Sequence, residues 1–359
     1  MKTVTLKLNS GSYDIIVGPG LLAESGYHLK GLGFKGKLAI ITDTTVRKLY
    51  ANALKQTLMA SGFEVTILDG PDSEEKKSLE TAGRLYLELT DFHAERSTPV
   101  LALGGGVIGD LTGFVAATYE RGVPLVQIPT TLLAQADSSL GGKTAVNHGR
   151  LKNQIGAFYQ PRLTISDTST LKSLAKEHLS DGLCEIIKHG AIRDADLFAY
   201  IESNLDQIMG CDDEALEIIV HRSVKIKAEV VEKDELDMGL RNILNFGHTV
   251  GHAVETVSDF QVSHGRAVAI GMVAAAGISN RMGLLGGSDI TRLEELLTRA
   301  GLLEKVPALE VDRLIEAMHH DKKIVGGQIK FVLLNAIGEA TITDDVSLDL
   351  VKEVLSEKL

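Results

Sequence analysis

Residues 98–119 read TPVLALGGGVIGDLTGFVAATY. A short apolar run passes into three glycines, and a helical pattern follows at once. That is a strand, a tight turn and a helix, the unit from which parallel sheets are built. Gly104, Gly106 and Gly109 satisfy G-x-G-x-x-G. Glycines at such a turn let the backbone approach a pyrophosphate, whose charge the helix N-terminus favours. The same pattern also closes bare strand-to-helix turns. The acidic residue usual about 20 residues on is missing, since the following strand ends at Gln127. If a dinucleotide binds here, its ribose must be met from elsewhere. Asp43, at the end of an earlier strand, and Glu74 are the candidates.

Outward from this unit the same alternation continues. KLAIITD (37–43) precedes a helical stretch through Met59, and FEVTILDG (63–70) precedes a helix across 78–90. VPLVQIPTT (123–131) is a further strand, and residues 1–20 alternate like a strand without the apolar core of a signal peptide. Asp43, Gly104 to Asp110 and Thr130–Thr131 fall beyond carboxyl ends of strands, where open parallel sheets hold their ligands. From about residue 171 the spacing turns helical, with few strand signals. The sequence therefore predicts an α/β domain over 1–170 with a mostly parallel sheet, and a mainly α-helical domain over 171–359. GGQIKFVLLNAIGEATIT (326–343) is expected to add a small hairpin or edge, and a cleft between the domains is the default ligand site.

Composition narrows the function. A chain of 359 residues is too long for one comfortable core. A net charge of −11 argues against a broad nucleic-acid footprint, so an anionic ligand must be met by a local cluster of cations. Two cysteines, Cys184 and Cys211, with no CxxC, suit a reducing cytoplasm. The longest apolar stretch, AVAIGMVAAAGI (267–278), is too short to cross a bilayer and reads as a closely packed buried helix.

Three further stretches carry chemistry. IPTTLLAQADSSLGGKTAVN (128–147) places hydroxyls, Asp137 and paired glycines beside Lys143, without P-loop spacing. It suits phosphate or ribose hydroxyls, or is a long irregular connection. GLCEIIKHG (182–190) sets Glu185 and Lys188 at i, i+3, either a surface ion pair or a carboxylate ligand with a nearby cation. RNILNFGHTVGHAVE (241–255) puts His248 and His252 one turn apart, roughly 40° around the axis. Joint ligation of zinc is possible, although no Glu follows the first His, and His264 begins another helix. Each histidine alone reads equally as a satisfied polar residue. Arg121, Lys143, Lys152, Lys188, Lys227, Arg241, Lys322 and Lys323 border these stretches. Singly they are surface charges; together they could meet a small, doubly anionic substrate.

In this order the motifs resemble the 3-dehydroquinate synthase family. LALGGGVIGDLTGFVAATYERG, the 128–147 stretch, KNQIGAFYQP, GLCEIIKHG, DELDMGLRNILNFGHTVGHAVE, HGRAVAIGM and HDKKIVGGQIKFVLL carry the likeness across nearly the whole chain. The resemblance implies a dehydroquinate synthase-like fold, NAD, one zinc or cobalt ion per subunit, a phosphorylated sugar acid as substrate, and a homodimer without nucleic-acid or membrane partners. It implies metal ligation by Glu185, His248 and His264. It implies that NAD is held by Asp43, Asp72, Glu74, Lys77, Gly105, Gly106, Val107, Gly109, Asp110, Thr130, Thr131, Asp137, Lys143, Lys152, Thr170, Leu171, Lys172 and Ser173. Arg121, Lys143, Asn153, Lys188, Lys227, Arg241, Asn245, His252, Lys322 and Lys323 would surround the substrate, with His252 relaying a proton. Ser73, Cys184 and Arg266 depart from the family pattern, and Arg266 adds a cation beside a metal histidine. A polyol dehydrogenase, a sister sugar-phosphate cyclase and a nucleotide-binding regulatory module are the competing readings.

Overall fold

The computed structural model describes residues 1–149, 151–304, 309–320 and 329–358. Lys322 and Lys323 lie outside the described residues. The chain folds as two units, Met1–Leu174 with Asp213–Leu236, and Ala175–Asp212 with Asp237–Leu359.

The alternating start forms an antiparallel hairpin, β1 (Lys2–Leu8) and β2 (Gly11–Gly18). After α1 (Ser25–Gly31) come β3 (Lys37–Thr42), α2 (Thr44–Val46), a π turn, α3 (Asn52–Ala60) and β4 (Glu64–Asp69). Next are α4 (Leu79–Asp91), β5 (Val100–Gly104), α5 (Gly106–Thr118) and β6 (Leu125–Pro129). A hairpin, β7 (Lys143–His148) and β8 (Leu151–Phe158), precedes β9 (Leu163–Asp167). The seven-stranded sheet runs β1-β2-β9-β6-β5-β3-β4 and is parallel throughout except for β1. Both faces are covered, as the near-continuous apolar strands require. In β5, Val100 and Ala102 pack with α4 and α5, while Leu101 and Leu103 pack with α1 and α3. β4 and β5 flank β3 on opposite sides, so the strand order reverses there. The carboxyl ends of β3 and β5 are Asp43 and Gly104, and such a reversal opens a crevice for ligands.

α6 (Lys176–Arg193) and α7 (Ala195–Met209) open the second unit, and the chain then returns to the first with α8 (Asp213–Lys233). This corrects the single cut expected after residue 170. Helical spacing shows that α8 is a helix but not which core takes its apolar face. Its buried Leu216, Ile219, Val220 and Val224 belong with the first unit, where α8 packs on β1 and β2. The backbone N–H of Lys7 donates to Glu232 at 2.8 Å. The 128–147 stretch is also more ordered than a loop: it contains a π turn at Ala134–Ser138 and all but the last residue of β7. β8 was not legible because its residues are mostly exposed and its apolar positions do not alternate.

In the second unit follow α9 (His248–Val257), α10 (His264–Arg281), α11 (Gly287–Arg299) and α12 (Val311–His320). The expected late hairpin is β10 (Phe331–Ala336) with β11 (Glu339–Thr343), and α13 (Leu348–Lys358) closes the chain. α10 carries the Ala- and Gly-rich stretch and is buried along nearly its whole length. It packs on α6, α9, α11, α13 and β10. Small side chains permit such close approach on several sides. No helix among the described residues is long and apolar enough to cross a membrane.

Candidate metal centre and dinucleotide cradle

Three helices of the second unit deliver the metal donors. Glu185 sits in the buried middle of α6, while His248 and His264 are the first residues of α9 and α10. Gly247 holds the turn before His248 at φ 80°, and a Cβ there would lie 2.6 Å from Met272. The Nδ1 of His248 lies 3.2 Å from the Phe246 carbonyl, which only an N–H can use, so Nε2 carries the lone pair. That Nε2 lies 3.6 Å from Glu185 Oε1, and His264 Nε2 lies 3.5 Å from the same oxygen. Glu185 Oε1 is buried and has no hydrogen-bond partner.

These distances are long for hydrogen bonds but suit the edges of a coordination tetrahedron. Ligand bonds of about 2.1 Å put neighbouring donors about 3.4 Å apart. The three donor atoms lie within 4.8 Å of one another. A buried oxygen without a partner, facing two imidazole nitrogens, fits a divalent ion.

The electrostatics agree at two of the three donors. Burial alone would raise the Glu185 carboxyl, but the Lys188 ammonium, then His248 and His264, hold it well below the usual carboxylate range. Lys188 donates to Glu185 Oε2, which leaves Oε1 for the centre. Burial, and then Lys188, push His248 well below its ordinary value, so it is neutral and able to ligate. His264 differs. Burial opposes its charge, but the facing Glu185 and Glu255 carboxylates raise it to about 10, so the ring is held charged until a metal displaces its Nε2 proton. The His252 ring stands 5.3 Å from that of His248 and 6.5 Å from that of His264, beside the triangle and not in it. The i, i+4 pair is thus divided between two positions.

The first unit builds the cradle. Gly104 ends β5, Gly105 caps α5, and the Thr130 N–H donates to the Gly104 carbonyl at 2.9 Å. A Cβ on Gly105 would stand 3.1 Å from Thr131, and one on Gly106 3.2 Å from the Ser138 hydroxyl. Side chains there would fill the space above the helix N-terminus, so the glycines keep it open for a pyrophosphate. Buried Lys77 contacts Glu74 and Asp110 at 3.0 Å and the Asn153 amide oxygen at 2.6 Å. Burial raises Asp110, and Lys77 pulls it back. Asp43 caps α2 by accepting from Thr45 and Val46 through one oxygen, Oδ1.

Other expected residues are placed less centrally. Asp72 pairs with Lys76, and Lys172 with Asp213, both on the surface. Leu171 is buried, and the Thr170 carbonyl accepts from Tyr50 and Ser173. Asp137 accepts from Lys227 Nζ at 2.8 Å, both in the first unit. Lys143 and Lys152 are exposed on the β7–β8 hairpin, and Arg121 has φ 62° in a tight turn. Arg241 is buried in the turn Leu240–Asn245 ahead of α9, where Asn245 donates to Asn242. Arg266 donates to the Glu304 carbonyl.

Two organising residues lie outside the expected site sets, although Asn147 belongs to the polar 128–147 stretch. Asn147 donates to the Glu74 carbonyl and carboxylate, each at 2.9 Å, and accepts from the Asn153 N–H at 2.8 Å. No sequence signal marks that role. Glu255 lies 3.3 Å from His264 Nδ1. Its signal was available, because His248, His252 and Glu255 stand at i, i+4, i+7 on one face.

Both parts of the chain match known family models. Residues 67–181 match the 3-dehydroquinate synthase N-terminal family, and residues 182–324 the 3-dehydroquinate synthase C-terminal family. A 3-dehydroquinate synthase of Dehalococcoides mccartyi (strain CBDB1) is 47% identical over 357 residues, covering 99% of each chain. Among solved structures, 2-deoxy-scyllo-inosose synthase complexed with carbaglucose-6-phosphate, NAD+ and Co2+ has a TM-score of 0.91 at 28% identity, covering 100% of each chain. A 2-epi-5-epi-valiolone synthase from Streptomyces hygroscopicus subsp. jinggangensis 5008, with NAD+ and Zn2+ bound, has a TM-score of 0.90 at 30% identity over 98% of each. With both halves matched and near-half identity along its whole length, the chain belongs to the 3-dehydroquinate synthase family.

Proposed function

We propose that this protein converts 3-deoxy-D-arabino-heptulosonate 7-phosphate into 3-dehydroquinate and phosphate, as a carbon–oxygen lyase that needs NAD and a divalent ion. The observation that carries this is the Glu185, His248, His264 triangle, in a chain 47% identical to a 3-dehydroquinate synthase. When bound, NAD+ supplies a hydride acceptor that is regenerated, and zinc or cobalt supplies Lewis acidity at the reacting alcohol.

The substrate chemistry explains the residues. Transient oxidation at C5 acidifies the C6 proton, phosphate leaves by β-elimination, and the C5 carbonyl is reduced again. Ring opening and an intramolecular aldol step then close the carbocycle. Lys188 keeps Glu185 ionised for the metal. His252 relays the C5 hydroxyl proton, a role suited to an imidazole near neutral pH. Arg121, Lys143, Asn153, Lys188, Lys227, Arg241, Asn245, Lys322 and Lys323 hold the substrate's phosphate and carboxylate. The substrate phosphate itself takes the C6 proton. In the cradle, Asp43 and Glu74 meet the adenosine ribose and Gly105–Val107 the pyrophosphate. The working form is a homodimer, which sedimentation velocity tests against the 38.5 kDa chain mass.

Purified protein mixed with the heptulosonate phosphate and substoichiometric NAD+ should release one phosphate per substrate, and a chelator should stop it. Stoichiometric NADH from a simple polyol would favour a dehydrogenase instead. Equal turnover of a sugar phosphate lacking the carboxylate would favour a sister cyclase.

A further inference from the structure

We propose that Glu255 is the positioning residue of the metal centre, the outer carboxylate that orients His264 and balances the charge of the site. This rests on the metal reading given above. Glu255 lies on α9 and His264 begins α10, and the carboxylate Oε1 stands 3.3 Å from the ring Nδ1. A carboxylate at Nδ1 fixes the proton there and turns Nε2 into the donor. That nitrogen is the one 3.5 Å from Glu185 Oε1.

The rest of the connection serves the same end. The Glu255 carbonyl accepts from the Phe260 N–H at 2.8 Å and from the Ser258 hydroxyl at 3.1 Å. Ser263 donates to Asp181 at 2.6 Å, and a Cβ on Gly265 would meet the Asp181 backbone at 2.5 Å. The backbone of His264 is therefore set by α6, and its ring by Glu255. The two histidines are not equivalent, since His248 has the neutral Phe246 carbonyl at its Nδ1. An imidazole backed by a carboxylate is the more basic donor.

Charge favours a second acid. The N-termini of α9 and α10 each bring about half a positive charge toward the donors, and the Lys188 ammonium adds another. Glu185 alone would face a dication against that background. Glu255 supplies a second negative charge on the far side of the His264 ring, one hydrogen bond from its Nδ1.

The test uses metal-free full-length protein titrated with Zn2+ against a chromophoric chelator, for wild type, Glu255→Gln and Glu255→Ala, with Co2+ absorption spectra of each. Glu255→Ala should weaken zinc binding about 10- to 100-fold and alter the cobalt bands, as loss of such outer partners does. Glu255→Gln keeps an acceptor for Nδ1–H and should recover the cobalt bands with only part of the affinity. Thermal melting of the metal-free proteins separates misfolding from lost affinity. If wild type binds zinc and both variants bind it equally well with unchanged spectra, the role of Glu255 is refuted while the metal centre stands. If wild type itself takes up no metal, the metal reading fails first.

Discussion

Replacing Gly271 by alanine tests whether helix packing sets the metal geometry. Gly271 lies on α10 where it meets α9. An added Cβ would stand 1.9 Å from the Gly247 carbonyl oxygen, 2.8 Å from its carbon and 2.9 Å from the Gly251 nitrogen. All three are backbone atoms and cannot rotate aside. Ordinary contact begins at 3.4 Å, so the helices must part by about 1.5 Å. His248 follows Gly247 directly, and His264 lies two turns from Gly271 on its own helix. Functional constellations tolerate displacements of about 0.5 Å, so the two imidazoles would leave ligating range. Overpacking costs about 3 kcal/mol, and the better helix propensity of alanine returns about 1 kcal/mol. The net loss should lower the melting temperature by roughly 4–8 °C and weaken zinc at least about tenfold. Gly277→Ala is the control on the same helix. Its Cβ would meet one side-chain atom, Val354 Cγ1 at 2.9 Å, and no backbone, so a smaller loss is expected. Differential scanning calorimetry and a competitive zinc titration report both quantities. A Gly271→Ala protein that melts and binds zinc like wild type would refute the packing argument.

Three other outcomes are expected. Lys77→Met removes the cation between Glu74 and Asp110 and should destabilise the first unit by about 3 kcal/mol. Asp110 already binds its proton more readily folded than unfolded, because of burial, so stability falls as pH rises through that window. Without Lys77 the window extends upward, and urea midpoints should show a larger deficit at pH 8 than at pH 5; an equal deficit would count against the coupling. Burial pushes the Cys184 thiol well above its ordinary value, so a disulfide reagent at pH 8 should leave it intact until the protein is unfolded, which a two-thiol titration in guanidinium would show. His252→Ala should lower kcat about 100-fold with zinc affinity within about twofold of wild type, and a collapse of affinity would instead make His252 a ligand.

Much of the fold could be read from residue patterns because burial on both sheet faces leaves continuous apolar runs. β3, β5 and β6 end at Thr42, Gly104 and Pro129, so the residues expected at or beyond their ends are there. β8 escaped because an exposed hairpin has no apolar alternation to show. α8 was visible as a helix, yet its allegiance depends on β1 and β2, about 200 residues earlier, and periodicity carries no such information. The site divides in the same way. The glycine turn is local, so its sequence announces it. Lys77 with Asp110 and Asn153 is not local: the resemblance put Lys77 and Asp110 in one set and Asn153 in the substrate set, and only the fold joins all three.

The histidine pair shows why spacing alone misassigns chemistry. One turn apart on α9, His248 and His252 satisfy the usual pattern for shared ligation. The difference between them is position along the helix, not around it. His248 is the first helical residue, so its ring sits at the helix end, where the first residue of α10 and the middle of α6 also converge. His252 lies one turn further along, and Glu255 almost one more, returning to the start of α10 at His264. On the proposed reading the face therefore runs ligand, proton carrier, orienting acid, and the candidate centre lies where the starts of α9 and α10 meet the middle of α6.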